Sequence, residues 1–182
     1  MDWDIIDSEF SLLHDEVKKF SKNINFEIFE EFNLNTSITE NKFRKINYAG
    51  IYLLEIKNNF IHNNFTEWIN DFESIWLGEE RFFEKCFTPN LKKKRIKCHT
   101  ELEEWIPLYI GKSKNIRNRL GEHFFKKLNQ TTFSLKLLER KNLHNNTFRL
   151  STIQIDVKNY NIIMPIIENE LRDKLNPILG RQ

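Results

Sequence analysis

Two tyrosine–glycine pairs, an arginine with a histidine four residues later, and one glutamate near the C-terminus have the types and spacings that handling a phosphoryl group requires. Tyr52 shares a strand face with Gly50, and Tyr109 with Gly111, and a glycine there leaves room for a backbone or phosphate to come close. Arg119 and His123 fall on one helical stripe, about 100° round from the apolar stripe Ile116, Leu120 and Phe124 that would dock the helix on a sheet. A guanidinium fork suits a phosphoryl group over which negative charge spreads. Cleaving a phosphodiester also needs a deprotonated nucleophile and help for the leaving oxygen, and a metal held by a carboxylate supplies the latter along with charge neutralisation. Each residue alone has a plainer account. Strand tyrosines mostly pack half-buried, and Arg119 and His123 read as ordinary helix residues. Glu168 stands four before Arg172, a helical surface pair worth about 0.3–0.5 kcal/mol.

The elements that must position these groups follow from apolar periodicity. Residues 47–57, 107–111 and 147–157 read as strands. In the third, the apolar register moves from Phe148 and Leu150 to Ile153, Ile155 and Val157, which predicts a bulge near Ser151. Helices are expected over 8–21, capped by Ser8 with Phe10, Leu13, Val17 and Phe20 inward, and over 26–34, 64–77, 114–127, 131–141 and 162–175. A further short helix would carry Phe82, Phe83, Cys86 and Phe87, and residues 35–46 read as a loop.

The charged and apolar fractions, 30% and 40%, are those of an ordinary globule, and no segment is long and apolar enough to span a bilayer. The acidic opening, MDWDIIDSEF, lacks a signal peptide's basic start and apolar run, so a cytoplasmic location is expected. Two cysteines, Cys86 and Cys98, provide no disulfide framework, and with His62 and His99 they lack the paired spacing of a zinc site. The net charge is only +2, but residues 1–46 hold ten acids and six bases while residues 86–127 hold eleven bases and four acids. Such asymmetry suits phosphate attraction, and equally an unevenly charged solvated surface. The run Lys92, Lys93, Lys94, Arg95 is a candidate nucleic-acid contact.

In the order Gly50-Ile51-Tyr52, Tyr109-Ile110-Gly111, Arg119, His123, then Glu168-x-x-Leu171 and Pro177, the chain resembles the GIY-YIG nucleases. The likeness covers roughly 47–57 and 107–180. It implies an α+β fold, a small three-stranded antiparallel sheet flanked by helices. Residues 1–46 would form a helical N-terminal extension, and 47–182 the nuclease domain, with a mostly helical insertion at 58–106 whose own core is made by Trp68, Phe72, Trp76 and Phe82. The resemblance places Tyr52 near the attacking water, as a candidate general base, and leaves open which tyrosine or histidine is the base. It assigns Tyr109 to positioning, Arg119 to the phosphorane charge, His123 to proton transfer or phosphate holding, and Glu168 to a Mg²⁺ or Mn²⁺ ion. Lys112 and Lys114 would flank the site. The expected partner is double-stranded DNA, with a homodimer left open and no membrane.

Two departures stand out: 56 residues separate Tyr52 from Tyr109, and Gly180 occupies the place of the family's asparagine after Pro177. The PLYIGK segment (107–112) beside a long insertion looks most like the restriction branch, with restriction or phage defence as the expected role. The rivals are a structure-selective repair or recombination nuclease and a non-catalytic nucleic-acid-binding module on the same scaffold.

Overall fold

In the computed structural model, which describes residues 2–59 and 61–180, the three expected strands are joined by a fourth. β1 (Glu27–Asn33), β2 (Gly50–Lys57), β4 (Trp105–Ser113) and β5 (Thr147–Gln154) form one antiparallel sheet in the order β1-β5-β2-β4. The two-residue β3 (Asn90–Leu91) and β6 (Leu179–Gly180) pair separately. The last two residues of the expected 47–182 unit lie outside the described residues.

The helix expected over 26–34 is therefore a strand. Its apolar residues do not alternate because a register shift between Ile28 and Glu30 leaves Phe29 as an extra residue. Pairing with the free edge of β5 outweighs the local periodicity. The irregularity near Ser151 thus lies in β1, opposite Ser151 and Leu150, and not in β5, whose ladder with β2 is regular. The change of apolar face along β5 is met instead by Thr152, a buried polar residue held at 2.8 Å by the Tyr48 hydroxyl.

Both faces of the sheet are covered. Tyr52, Leu54, Ile56, Phe148 and Leu150 pack under α2 (Phe65–Gly78) and α4 (Ile116–Phe125). Ile51, Leu53 and Ile110 pack against Met164, Ile167 and Leu171 of α5 (Tyr160–Leu175). α1 (Trp3–Lys22) lies along α5, but it is capped by Asp2 and not Ser8, and of its expected inward stripe only Val17 packs. Phe10, Leu13 and Phe20 are exposed.

The segment 58–106 has no separate core. Trp68, Phe72 and Trp76 belong to the same apolar cluster as Tyr52 and Tyr109. Phe82 is 81% exposed, and its expected helix is a single 3₁₀ turn, Glu79–Phe82. The helix expected over 131–141 is also absent. Two 3₁₀ turns, Leu137–Glu139 and Lys141–Leu143, stand in its place, and Lys136 takes a left-handed backbone (φ 56°). Two buried cations organise this segment. The Lys136 ammonium donates to the carbonyls of Leu128 (3.0 Å) and Gln130 (2.5 Å). The Arg140 guanidinium stacks on Trp76 at 3.4 Å and donates to the carbonyls of Leu135 and Trp76 and to Glu80.

Arg140 thereby ties α2 to the loop that follows α4. Removing one partner of a buried charged network leaves the other uncompensated, at a cost of about 3–5 kcal/mol. Arg140→Ala is expected to lower the urea midpoint correspondingly at unchanged slope. A wild-type midpoint would show that the loop is held by other contacts.

Candidate active site

Tyr52 is directly opposite Gly111 in the β2–β4 ladder, so the two share a face. The phenol lies across the glycine: a Cβ on Gly111 would fall 2.3 Å from Tyr52 Oη and 2.6 Å from Cζ. Gly50 is equally constrained, since a Cβ there would meet the Ile153 carbonyl oxygen of β5 at 1.9 Å. A register shift between Leu54 and Glu55 makes Leu108 the extra residue of β4, beside Pro107 on the outer strand of the sheet, where a missing N–H is tolerated. The bulge lets Tyr109 share the face of Leu108 and Ile106, and its ring stacks on Tyr52 with centroids 6.2 Å apart.

α4 begins at Asn115, whose side chain accepts from the Asn118 N–H at 3.0 Å, and Ile116, Leu120 and Phe124 dock it as expected. Arg119 reaches the cavity, but the expectation that His123 faces an open groove needs correction, because His123 is fully buried. Its Nδ1 accepts from the Leu135 N–H at 3.0 Å. The neutral ring therefore carries its proton on Nε2, which donates to Tyr52 Oη at 2.7 Å. Burial, reinforced by the Arg119 charge, holds His123 well below the usual histidine range, so the ring is neutral. With both nitrogens engaged and the ring fully buried, His123 is placed to orient the Tyr52 phenol.

Arg119 donates to Glu122 and, at 2.7 Å, to the Phe133 carbonyl, and its charge lies close enough to both phenols to act on them. Burial opposes its charge, but Tyr52, Glu122 and Tyr109 outweigh that and raise its pKa. Burial also raises both phenols, with each tyrosine's neighbouring charges secondary. The absence of a helix over 131–141 has its use here. A helix would consume the Phe133 carbonyl and the Leu135 N–H, which instead hold Arg119 and His123.

Glu168 on α5 is only 7% exposed. Its expected contact with Arg172 forms at 2.6 Å, but as a half-buried pair, and the other carboxylate oxygen accepts from the Lys112 ammonium at 2.5 Å. These groups line one cavity of about 590 Å³ with Tyr52, Tyr109 and Arg119. Lys114 stays outside it, exposed, with its ammonium 5.5 Å from the Tyr160 ring centroid. The basic run is split. Lys93 and Lys94 are exposed on the one-turn α3 (Lys93–Ile96), whereas Lys92 and Arg95 are half-buried and Arg95 lines the cavity.

Sequence reasoning read Arg172 only as a helical partner and did not find Glu122, nor the backbone groups of Phe133 and Leu135. The i, i+4 spacing of Glu168 and Arg172 was the one available signal. Among the described residues no three His, Cys, Asp or Glu side chains cluster as a metal nest. His99 is bonded to the Asn176 carbonyl at 2.8 Å and stacks on Phe65. A cation here would have Glu168, with the lone pairs that Lys112 and Arg172 leave free, and would draw its remaining ligands from water and substrate, the usual pattern for Mg²⁺. Among the described residues no helix is long and apolar enough to cross a membrane.

Residues 104–181 match the family model described as the GIY-YIG catalytic domain. Neither the curated proteins nor the solved structures hold a match to the chain.

Two outcomes follow from the geometry. Gly111→Ala is expected to push the Tyr52 phenol off His123 and to abolish turnover while the fold persists, read by comparing activity with circular dichroism. The second concerns acid. A histidine kept neutral by folding is protonated more readily in the unfolded chain. As pH falls below about 6.5, its contribution therefore destabilises the fold by up to about 1.4 kcal/mol per unit, until the folded pKa is reached. His123→Gln should remove that part of the acid dependence. An unchanged pH–stability profile in the variant would mean that other groups carry it.

Proposed function

We propose that this chain, which carries a GIY-YIG catalytic domain, is a divalent-metal-dependent endonuclease that hydrolyses phosphodiester bonds of double-stranded DNA in the cytoplasm, as a restriction or phage-defence enzyme. Nuclease activity in general follows from the domain. The finer reading rests on one observation: β2 and β4, distant in sequence, pair so that Tyr52, Tyr109, Arg119 and Glu168 surround a single cavity. Residues 1–46 are read as an extension that is not wholly helical, since it adds β1 to the main sheet, and 58–106 as the insertion. The latter supports the restriction role because it contributes Arg95 to the cavity wall.

In this reading Tyr52 first releases its phenolic proton to bulk water through the cavity, an ionisation that burial opposes, and as the phenolate receives the proton of the attacking water. Its oxygen already accepts a hydrogen bond from His123 Nε2 and lies beside Arg119, so a phenolate formed there is stabilised on two sides. Tyr109 orients the water against the phosphate. The Arg119 fork, fixed by Glu122 and Phe133, faces the charge that develops on the pentavalent phosphorus. Glu168 would hold Mg²⁺ or Mn²⁺, which when bound supplies charge neutralisation at the phosphorus and at the leaving oxygen. Lys112, bonded to one oxygen of Glu168, holds the carboxylate against the cavity wall.

Incubation of the purified protein with phage and plasmid DNA and Mg²⁺, with and without EDTA, tests the reading. Discrete fragments that vanish with EDTA support it. Cleavage confined to branched DNA would favour the repair alternative, and binding without cleavage the non-catalytic one. Glu168→Gln is expected to lose cleavage and keep DNA binding. Arg119→Lys should cut slowly and Arg119→Ala hardly at all, each through kcat, because lysine keeps the charge and loses the fork. Wild-type rates for Arg119→Ala would place the phosphate elsewhere.

A further inference from the structure

Gly180 stands where the resemblance calls for an asparagine, and any side chain there would press on Arg95 and Lys92. β3 pairs with β6 so that Asn90 faces Gly180 and Leu91 faces Leu179, and the Lys92 N–H donates to the Ile178 carbonyl at 2.8 Å. This ladder fixes the start of α3 directly over the C-terminal segment. A Cβ on Gly180 would lie 3.0 Å from Arg95 Nη1 and 3.1 Å from Lys92 Cε. The glycine is the floor over which Arg95 enters the cavity.

Arg95 differs from the other cations that line the cavity. Lys112 and Arg172 are bonded to Glu168, and Arg119 to Glu122 and the Phe133 carbonyl. The Arg95 guanidinium has no hydrogen-bond acceptor and no carboxylate at ion-pair distance among the described residues. Burial and the nearby Arg172 charge both work against its protonated form, with Asp173 and Glu168 opposing them. An unpaired, half-buried cation beside another cation is costly unless an anion completes it. Arg95 enters the cavity beside Leu179 and Gly180 of the C-terminal segment, whereas Tyr52, Tyr109 and Arg119 line it from β2, β4 and α4.

We propose that Arg95, seated over Gly180 by the β3–β6 pairing, binds the backbone phosphate next to the one being cut. The insertion thus supplies a second phosphate grip to the catalytic cavity. This rests on the nuclease reading and deepens it: one phosphodiester is held between Arg119 and Glu168 and its neighbour by the free fork of Arg95, with Arg172 and Lys92 beside it. Lys93 and Lys94 point to solvent and are not part of the grip.

The test uses full-length protein in EDTA, so that binding is read without turnover. Affinity for a plain DNA duplex is measured over a range of salt. Arg95→Ala is expected to reduce the slope of log affinity against log salt by about 0.9, the value of one lost phosphate contact. Arg95→Lys should keep the slope but bind several-fold more weakly. Gly180→Asn, which displaces Arg95, should reproduce the alanine variant, while Lys93→Ala should bind like wild type. Arg95→Ala should also melt no lower than wild type, because no intramolecular partner is lost. Once the cleavage site is mapped, a neutral methylphosphonate at the neighbouring phosphate should weaken wild type and leave Arg95→Ala without further loss. An unchanged salt slope in Arg95→Ala, a lowered melting temperature, or independent multiplication of the two losses would each overturn the assignment. Failure of the nuclease reading would register separately, as wild-type protein that leaves plasmid intact with Mg²⁺.

Discussion

The crossing of the Tyr52 phenol over Gly111 is the contact on which the site is built. Any side chain at 111 would occupy the space of the phenol oxygen. Only with that ring laid flat across the strand can its oxygen meet His123 on α4 while its face stacks on Tyr109. The bulge at Leu108 serves the same end, since without the extra residue Tyr109 and Gly111 would face α5 instead of α4.

Around this contact, hydrogen-bonding groups come from backbone that is not in regular structure. The loop after α4 forgoes a helix, and its freed carbonyl and N–H hold an arginine and a histidine at fixed angles. Its own cohesion comes from Lys136 and Arg140, buried side chains that replace the missing helical hydrogen bonds. Preorganisation of this kind means little rearrangement is needed when charge develops on a substrate.

The segment 58–106 shares the core of the rest of the fold. Its aromatic helix shares the core that supports the tyrosines, Arg140 clamps it to the loop, and β3 secures it to the C-terminal strand. A separately folded lobe could vary without touching the cavity, whereas this segment contributes Arg95 to the cavity wall.

The sequence by itself determined three strands, the docking stripes of α2, α4 and α5, and the choice of Tyr52, Tyr109, Arg119 and Glu168 as candidates, which the fold brings round one cavity. These are set by local periodicity and by short motifs whose spacing survives in one dimension. It did not show β1 as a strand, because a bulge scrambled its alternation, nor the irregular loop at 131–141, whose apolar residues imitate a helix. Only the tertiary structure decided which face His123 takes, which atom carries its proton, and which member of the basic run enters the cavity. Those outcomes depend on partners 12, 71 or more residues away, through contacts such as Leu135 to His123 and Tyr52 to His123. A one-dimensional pattern carries no information about such distances. Arg95 reaches the site because two short strands pair and a glycine yields its space, a relation between residues 90 and 180 that exists only after folding.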